Sequence, residues 1–345
     1  MSYKAIQFRG SSSGEVVQKT HVHEPPKPDE VVVRVTHSGL CGTDLHYIDH
    51  DVVLGHEGIG IVQEVGSACK DLKVGDRVGW GYPHSTCGSC DACLTGNESY
   101  CPNAEMYGEA AYDQGSLSSL VVRKEQWLFK IPDSMSSEDA APFMCGGATV
   151  WTPLIDFAKP YDRIGIVGIG GLGHLAIQFA AKTGCDVVVF SGSDDKREEA
   201  MKLGAREFYA TKGVTDYTSF GMKPIDRLFI TTSAKLDLSL FYSILNPQAT
   251  VLPLTVSGGD LTAPYLPTVL RGYKIVGSKL ATRFMQKKML EFADRNEIHA
   301  MVEKYPMTLE SVTKALRRLQ DGKMRYRGVV SWEYQSEPNG YIGKQ

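Results

Sequence analysis

Residues 164–173, which read IGIVGIGGLG, decide the fold of the second half of this chain. A short apolar strand ends at Val167, the glycines follow in the spacing G-x-G-x-x-G, and a helical pattern continues to about Lys182. Such glycines let the backbone approach a pyrophosphate, and the helix N-terminus supplies amide donors and the positive end of a dipole. The alternative is a glycine-rich turn without function, but the flanking strand and helix argue against it. We therefore predict a dinucleotide site containing Gly168, Gly170, Gly171, Leu172 and Gly173.

The end of the next strand indicates which dinucleotide is bound. An Asp or Glu at this place would bind the ribose 2′-hydroxyl of NAD, but the strand at residues 186–190 is followed by Ser-Gly-Ser. Two cations come shortly afterwards and could bind a 2′-phosphate, although they also fit an ordinary solvated helix face. Asp194 and Asp195 would repel that phosphate if they faced it. The favoured cofactor is NADP(H), bound with the help of Ser191, Ser193, Lys196 and Arg197.

Strand and helix patterns divide the chain into parts. Residues 3–130 contain short β-branched runs split by Gly, Pro and Asp turns, which predicts a β-rich domain. Strands then alternate with helices, which predicts a doubly wound parallel sheet. Its clearest strands are residues 164–167, 187–190, 227–231, 250–254 and 274–276. Helices are expected at residues 284–296 and 309–320, and a strand at 327–332 could return to the first domain. The predicted parts are residues 1–150, 151–285 and 286–345, the last ending in a loose tail from Glu333.

Four cysteines form a ladder with the spacing C-x2-C-x2-C-x7-C. Thiolates at this spacing can surround one tetrahedral zinc ion, and four sulfurs leave no open position, so the predicted site is structural. A disulfide cluster would need an oxidising compartment, and the polar start of the chain predicts no secretion signal. A redox pair would need two cysteines rather than four. The predicted ligands are Cys87, Cys90, Cys93 and Cys101.

A second zinc site is predicted from residues that lie far apart in the sequence. Cys41, His56 and Cys145 would supply three ligands and leave one position open, which is the catalytic arrangement. Glu57 is a possible alternate ligand. A metalloprotease HExxH motif is excluded because Gly60 stands where the second histidine is required. The alternative for Cys145 is a buried thiol without function.

Composition limits the classes of function. A chain of 345 residues with 42% hydrophobic residues can bury the cores of about two domains. Its net charge is −3 and it has no basic stripe, so we expect neither nucleic acid nor an anionic membrane surface as a partner. Its longest apolar stretch, residues 164–181, is interrupted by five glycines and His174, which fits the glycine loop better than a membrane span. We expect a cytoplasmic protein with a small-molecule substrate.

These motifs together resemble the zinc-dependent medium-chain alcohol dehydrogenase family, and most closely its NADPH-using cinnamyl alcohol dehydrogenase branch. The resemblance covers residues 3–332 and is carried by residues 41–46, 55–57 and 145–149, the cysteine ladder and the glycine loop. It implies a GroES-like β-rich catalytic domain, a Rossmann domain and a homodimer. It also implies two zinc ions per chain, one catalytic and one structural.

The resemblance also implies roles for the residues beside Cys41. Thr43 resembles the family's proton-relay hydroxyl, His46 the imidazole that connects the relay to solvent, and Asp44 the acid that orients the His56 ring. Residues 47–53 form a shorter segment than in most relatives, so part of the active-site wall is expected to differ. Five residues, as an alternative to core packing, could line an aromatic slot: Tyr47, Tyr82, Met106, Tyr107 and Phe284.

The predicted function is interconversion of an aldehyde and a primary alcohol with NADP(H), and the resemblance implies an aromatic or medium-chain substrate. Relatives that reduce iminium ions or conjugated alkenes tend to lack the relay, so Thr43 and His46 favour carbonyl reduction. A C=N or C=C reductase is the second hypothesis, because the segment at residues 47–53 is altered. A non-catalytic binding protein on the same fold is the third.

Overall fold

The computed structural model describes residues 2–334. The predicted C-terminal tail therefore lies, from residue 335 onward, outside the described residues. The chain forms two compact units. One contains the residues up to Ala148, Leu280–Arg295 and the residues from His299 onward, and the other contains Thr149–Lys279 and Asn296–Ile298.

The strands and helices have the following bounds. In chain order the strands are β1 (Tyr3–Arg9), β2 (Val17–His23), β3 (Glu30–Leu40), β4 (Glu57–Val65), β5 (Arg77–Trp80), β6 (Pro83–Ser85), β7 (Glu105–Met106), β8 (Leu120–Lys124), β9 (Phe129–Lys130), β10 (Arg163–Val167), β11 (Asp186–Ser191), β12 (Glu207–Ala210), β13 (Ile225–Ile230), β14 (Leu245–Pro253), β15 (Lys274–Ile275), β16 (Val302–Pro306) and β17 (Arg327–Ser331). The helices are α1 (Gly42–Leu45), α2 (Asp91–Leu94), α3 (Ser137–Pro142), α4 (Ala148–Phe157), α5 (Gly173–Thr183), α6 (Arg197–Leu203), α7 (Leu238–Tyr242), α8 (Tyr265–Arg271), α9 (Arg283–Arg295) and α10 (Leu309–Gln320), with a π-helical turn at Phe143–Gly147.

The first unit is built on a seven-stranded sheet in the order β16-β17-β3-β4-β5-β9, with β8 also paired to β3. Its pairs are antiparallel except β16 with β17. Strand β17 joins from the far end of the chain, where Ser331 pairs with His37 and Gly328 with Leu40. Its core contains buried β-branched residues of β3, such as Val31, and each fully buried side chain of this size contributes about 1.5–3 kcal/mol of transfer free energy.

The second unit contains a six-stranded parallel sheet in the order β12-β11-β10-β13-β14-β15. This is the strand order of a dinucleotide-binding doubly wound fold. All residues of β10 are buried, as expected when helices cover both faces of a parallel sheet. Helix α5 begins at Gly173, the last glycine of the loop, and ends before Gly184, whose φ of +102° is a left-handed conformation that favours glycine. The predicted fold class is confirmed.

Candidate active site

Four side chains converge in the first unit: Cys41, His56, Glu57 and Cys145. One ligand atom from each lies within 4.8 Å of the others. Cys41 follows the last residue of β3, and His56 and Glu57 stand at the start of β4, which is paired with β3. The paired ends of β3 and β4 therefore bring Cys41 to His56 and Glu57. This cluster is called the convergent cluster below.

Cys145 reaches the convergent cluster from an irregular turn. Helix α3 ends at Pro142, and Phe143–Gly147 then form a π-helical turn in which every residue is buried. Pro142 has no backbone N–H and so cannot donate a helical hydrogen bond. π-helical turns occur frequently at functional sites. Gly147 suits the turn because a Cβ there would lie 3.1 Å from the Cβ of Phe143. The wider turn thus presents the Cys145 thiol to Cys41 and His56.

The Asp44 carboxylate supports the convergent cluster through hydrogen bonds. Its carboxylate is fully buried and accepts hydrogen bonds from the backbone N–H groups of Cys41 at 2.9 Å and Gly55 at 3.2 Å. It also lies 2.8 Å from Nδ1 of His56, which fixes the ring with Nε2 as the available ligand atom. The buried Nε2 of His56 has no hydrogen-bond partner among the described residues. An imidazole nitrogen without a partner beside two thiols fits a zinc ion.

The charges in the convergent cluster are unequally distributed. A hydrogen bond from the Cys145 thiol lowers the pKa of Cys41 well below its usual range, and the same bond raises the pKa of Cys145. Burial lowers the pKa of His56, but the neighbouring Asp44 carboxylate outweighs this effect and raises it. The Cys41 thiolate is the form that binds metals.

Glu57 has a partner that sequence reasoning missed. Its carboxylate is fully buried, forms an ion pair with Arg327 of β17, and keeps Oε2 without a hydrogen-bond partner among the described residues. Burial raises the pKa of Glu57 to about 7. A Cβ at Gly39 would lie 2.0 Å from that Oε2, so a glycine is needed for the carboxylate to lie there. No local signal in the sequence marks a pair of residues 270 positions apart.

The cysteine ladder forms a second cluster whose ligand atoms lie close enough together to hold a metal ion. Both clusters are called metal-sized clusters below. Sulfur atoms of Cys87, Cys90, Cys93 and Cys101 lie within 4.8 Å of one another, and all eight cysteines of the chain are free thiols. Backbone N–H groups of Ser89 and Cys90 donate to the Cys87 sulfur and lower its pKa to about 5. Four converging thiols fit one structural zinc ion.

A partly buried ion pair links the ladder to the rest of the first unit. Glu98, which lies between the third and fourth cysteines, is 2.7 Å from a guanidinium nitrogen of Arg283, the first residue of α9. The same carboxylate accepts the backbone N–H of Arg283 at 2.6 Å. This pair ties the metal-sized cluster to a long helix.

The predicted relay residues lie at the rim of the convergent cluster. Thr43 Oγ1 is 3.8 Å from the Cys41 sulfur, and the side chain is partly exposed. His46, the residue after α1, is exposed to solvent. Both positions follow from the tight turn of α1, which starts directly after Cys41.

The glycine loop has the close packing that its motif requires. Gly168 has φ of +94°, and a Cβ on Gly173 would lie 2.0 Å from the Gly168 carbonyl oxygen. Thr231, at the end of β13, donates its hydroxyl to the carbonyl oxygens of Val167 and Gly168, each at 2.9 Å. Sequence reasoning missed Thr231, because a threonine after a strand is an ordinary signal. It positions the loop that would cradle a pyrophosphate.

The predicted phosphate-binding residues differ in how they are engaged. Lys196 Nζ donates to the carbonyl oxygen of Ile169 at 2.8 Å, so this cation lies against the glycine loop. Arg197 donates to Asp194 at 2.6 Å and lies over the ring of Phe208. Ser191 ends β11, and Ser193 donates to Asp195 at 2.9 Å. Lys196 therefore lies near the glycine loop, whereas the Arg197 guanidinium already contacts Asp194 and Phe208.

The suggested aromatic slot is only partly formed. Tyr82 and Tyr107 flank the His56 ring, with ring centroids 5.4 and 4.8 Å from it, and Tyr47 contacts Tyr107 at 5.2 Å. The Tyr107 hydroxyl accepts the N–H of Gly55 at 3.0 Å, so this ring is part of the framework. Met106 is buried, and Phe284 is 66% exposed in α9.

Comparison with known proteins agrees with this geometry. Residues 27–133 match the alcohol dehydrogenase GroES-like domain, and residues 171–295 match the zinc-binding dehydrogenase domain. A probable mannitol dehydrogenase of Mesembryanthemum crystallinum is 36% identical over 317 residues, which cover 87% of each chain. The chain belongs to the zinc-dependent alcohol dehydrogenase family.

Other members of the alcohol dehydrogenase family show the same relationship. An NADP-dependent alcohol dehydrogenase C of Mycolicibacterium smegmatis is 30% identical, with 94% of this chain and 96% of that protein covered. The structure of a cinnamyl alcohol dehydrogenase of Sorghum bicolor superposes with a TM-score of 0.89 at 29% identity, covering 97% of this chain and 99% of that one. The predicted resemblance to the cinnamyl alcohol dehydrogenase branch is confirmed. Within residues 2–334, no helix is both long and apolar enough to span a membrane.

Proposed function

We propose that this protein is an NADP(H)-dependent oxidoreductase that interconverts aldehydes and primary alcohols. The observation that carries the proposal is the convergence of Cys41, His56 and Cys145 around a buried imidazole nitrogen that has no hydrogen-bond partner in the part of the chain that the structure describes. We propose that these three residues hold a catalytic zinc ion, with Glu57 as an alternate ligand, and that the cysteine ladder holds a structural one. When bound, zinc would act as a Lewis acid on a carbonyl oxygen and the nicotinamide would supply a hydride.

The chain's own residues complete the proposed reaction. Asp44 keeps the His56 ring oriented through the 2.8 Å contact with Nδ1. Thr43, beside Cys41, would donate its hydroxyl proton to the substrate oxygen as that oxygen gains negative charge. The exposed imidazole of His46 would return a proton to Thr43 from solvent. An aromatic or medium-chain substrate is proposed from the family relationship alone.

Three observations support NADP(H) over NAD(H). The tip of β11 carries Ser191 and Gly192 where NAD enzymes place an acid, and a Cβ at Gly192 would meet nothing within 4 Å. Lys196 lies against the glycine loop and follows the tip of β11, and we propose that it contacts the 2′-phosphate. The relative from Mycolicibacterium smegmatis is itself named as NADP-dependent.

We also propose a cytoplasmic homodimer. Residues of α8 expose apolar side chains, with Tyr265 85%, Leu266 65% and Leu270 73% exposed, and the neighbouring strand β15 forms one edge of its sheet. Unpaired edges and apolar patches of this kind are typically covered in an assembly. Eight free cysteines agree with a reducing compartment.

The test follows NADPH and NADH oxidation with aromatic and aliphatic aldehydes. We expect faster turnover with NADPH, and loss of turnover in Cys41→Ala but not in the control Cys69→Ala, whose thiol lies outside both clusters. With an α,β-unsaturated aldehyde the expected product is the allylic alcohol. A saturated aldehyde as product, or no oxidation by a protein that holds two zinc ions, would reject carbonyl reduction.

A further inference from the structure

Two tyrosine hydroxyls meet beside the convergent cluster. The hydroxyl oxygens of Tyr47 and Tyr82 are 3.0 Å apart, and both side chains are partly buried. The Tyr82 ring lies edge-on to the His56 ring, with centroids 5.4 Å apart. The pair therefore lies close to the proposed zinc ligands, yet the proposed reaction gives it no role.

The fold positions Tyr47 closely. Gly108 has φ of +75°, and a Cβ there would lie 2.2 Å from Cζ of Tyr47, so the ring packs directly on the backbone of this glycine. The ring also contacts Tyr107 edge to face at 5.2 Å. Such packing on two sides limits the rotamers of Tyr47 and aims its hydroxyl at Tyr82.

The segment that carries Tyr47 is held by other interactions. Backbone N–H groups of Ser11 and Gly10 donate to the carbonyl oxygens of Ile48 at 3.0 Å and Val52 at 3.1 Å. Arg9 donates to the carboxylate of Asp51 at 2.6 Å. These contacts hold residues 48–52 without the Tyr47 hydroxyl, so the bond of that hydroxyl to Tyr82 is not needed to hold the segment.

The hydroxyl pair has unused hydrogen-bonding capacity. Each phenol offers one O–H donor and lone pairs that can accept. One O–H is used between the two oxygens, and the second finds no partner among the described residues. Because both side chains are partly exposed, water can bind the second O–H, and a polar group of a ligand can replace that water. A ligand that lacks such a group would forgo this hydrogen bond.

We propose that the hydroxyl pair of Tyr47 and Tyr82 binds a hydroxyl oxygen of the substrate, so that the enzyme prefers short hydroxyaldehydes to unsubstituted aldehydes of the same length. The proposal rests on the proposed aldehyde reduction and specifies its substrate class. Because the Tyr82 ring lies beside the ring of the proposed zinc ligand His56, a substrate hydroxyl bound there would be near the reacting carbonyl, so 2-hydroxy and 3-hydroxy aldehydes are the proposed class. The predicted aromatic slot would then contain a polar group, the hydroxyl pair of Tyr47 and Tyr82.

The experiment compares 2-hydroxypropanal with propanal and 3-hydroxybutanal with butanal, using NADPH and the full chain. The variants are Tyr47→Phe, Tyr82→Phe and the double variant, each of which keeps the ring. Tyr112→Phe is the matched control, because its hydroxyl donates to the Glu109 carbonyl oxygen at 3.2 Å on the surface. Zinc content and the thermal unfolding midpoint verify that each variant is folded.

We expect the unsubstituted protein to favour the hydroxylated aldehyde of at least one pair by kcat/KM. Each single Phe variant should lose about fivefold in kcat/KM for that aldehyde, mainly through a higher KM, because it loses one neutral hydrogen bond to the substrate. Activity with propanal and butanal should stay within about twofold. The double variant should lose little more than the singles, since the two hydroxyls act together.

Two results would overturn the proposal. If the Phe variants lose activity equally with both members of a pair, or lose none, the hydroxyls have a structural role or no role, and aldehyde reduction itself still stands. If the unsubstituted protein reduces no aldehyde with NADPH, both the subsite and the proposed function fail.

Discussion

The two metal-sized clusters of the first unit are assembled in opposite ways. The cysteine ladder uses four residues within a span of 15 positions, and its first residue, Cys87, is exposed. The convergent cluster collects Cys41, His56 and Cys145 from strand ends and a π-helical turn, and its imidazole is 1% exposed. A local ladder can form around its ion with little help from the fold, whereas the convergent cluster requires the folded sheet. The comparison teaches that closely spaced ligands indicate a metal site that stabilises the fold, whereas widely spaced ligands indicate a metal site that depends on the fold.

Replacement of Cys145 is expected to have the largest effect. Cys145→Ser removes one of three proposed ligands of an already folded site, so kcat/KM for aldehyde reduction should fall at least about 10³-fold, comparable to the loss of an essential catalytic group. The unfolding midpoint should change little. Steady-state kinetics and metal analysis test this, with one zinc ion per chain expected to remain. Retention of both ions with full activity would contradict the assignment of Cys145.

Replacement in the ladder should give the reverse pattern. Cys93→Ser breaks a site whose binding energy contributes to folding, so the first thermal unfolding midpoint should fall by about 5 °C or more. Treatment with a chelator should remove most of the difference between this variant and the unsubstituted protein. A variant that loses activity but keeps its unfolding midpoint would show that the two clusters do not divide their roles as proposed.

A change at Asp44 tests how far the convergent cluster depends on its support. Asp44→Asn keeps the size of the side chain but removes the charge that faces His56 Nδ1, and such substitutions typically cost 10-fold to 100-fold in metal affinity or activity. Competition with a zinc indicator measures the affinity of each site separately. The ladder's affinity should be unaffected, and equal weakening of both sites would instead indicate a general loss of structure.

The smallest expected effect concerns His23. Its protonation at low pH is expected to lower the stability of the fold independently of any loss of metal. Burial lowers the pKa of His23 to about 4 from its ordinary value of 6.5. The unfolded chain therefore binds a proton at a higher pH than the folded chain. The stability that depends on neutral His23 is complete above pH 6.5 and falls as the pH drops toward 4, by at most about 1.4 kcal/mol per pH unit.

His23→Gln should flatten this decline in metal-free protein. Denaturant unfolding at pH 7, 6, 5 and 4, with chelator present throughout, gives the free energy of unfolding at each pH. His50→Gln is the control, because His50 is exposed. An unchanged pH dependence in His23→Gln would assign the acid sensitivity to other groups.

Local patterns predicted much of the fold. Helix α10 has the predicted bounds, since its apolar periodicity is strong and Thr308 caps it by accepting the N–H of Ser311 at 3.2 Å. Strand β12 was missed because four residues of mixed polarity carry little periodicity. Strand β14 begins at Leu245, five residues before its prediction, and its first part contains an irregular pairing and Gln248 with φ of +63°, which an alternating pattern does not predict.

The candidate site was predictable where its residues stand in short sequence motifs. Cys41, His56 and the ladder stand in recognisable spacings, and the structure brings each of them into a cluster. Three features had no such signal: the ion pair of Glu57 with Arg327, the π-helical turn at Cys145, and the support of the glycine loop by Thr231. Each depends on contacts between distant residues or on a local backbone irregularity, which periodicity and spacing do not encode.

The pairing of β17 with β3 has a consequence for the order of events during protein synthesis. At about 5–20 residues per second, a ribosome makes Arg327 roughly 15–50 s after Glu57, which lies 270 positions earlier. Throughout that interval β3 lacks one neighbour at residues 37–40, and the Glu57 carboxylate lacks its cation. Residues 149–279, by contrast, leave the ribosome as one uninterrupted stretch with a complete sheet. The nascent chain can therefore finish its nucleotide-binding half while the half that carries both metal-sized clusters still waits for its last strand.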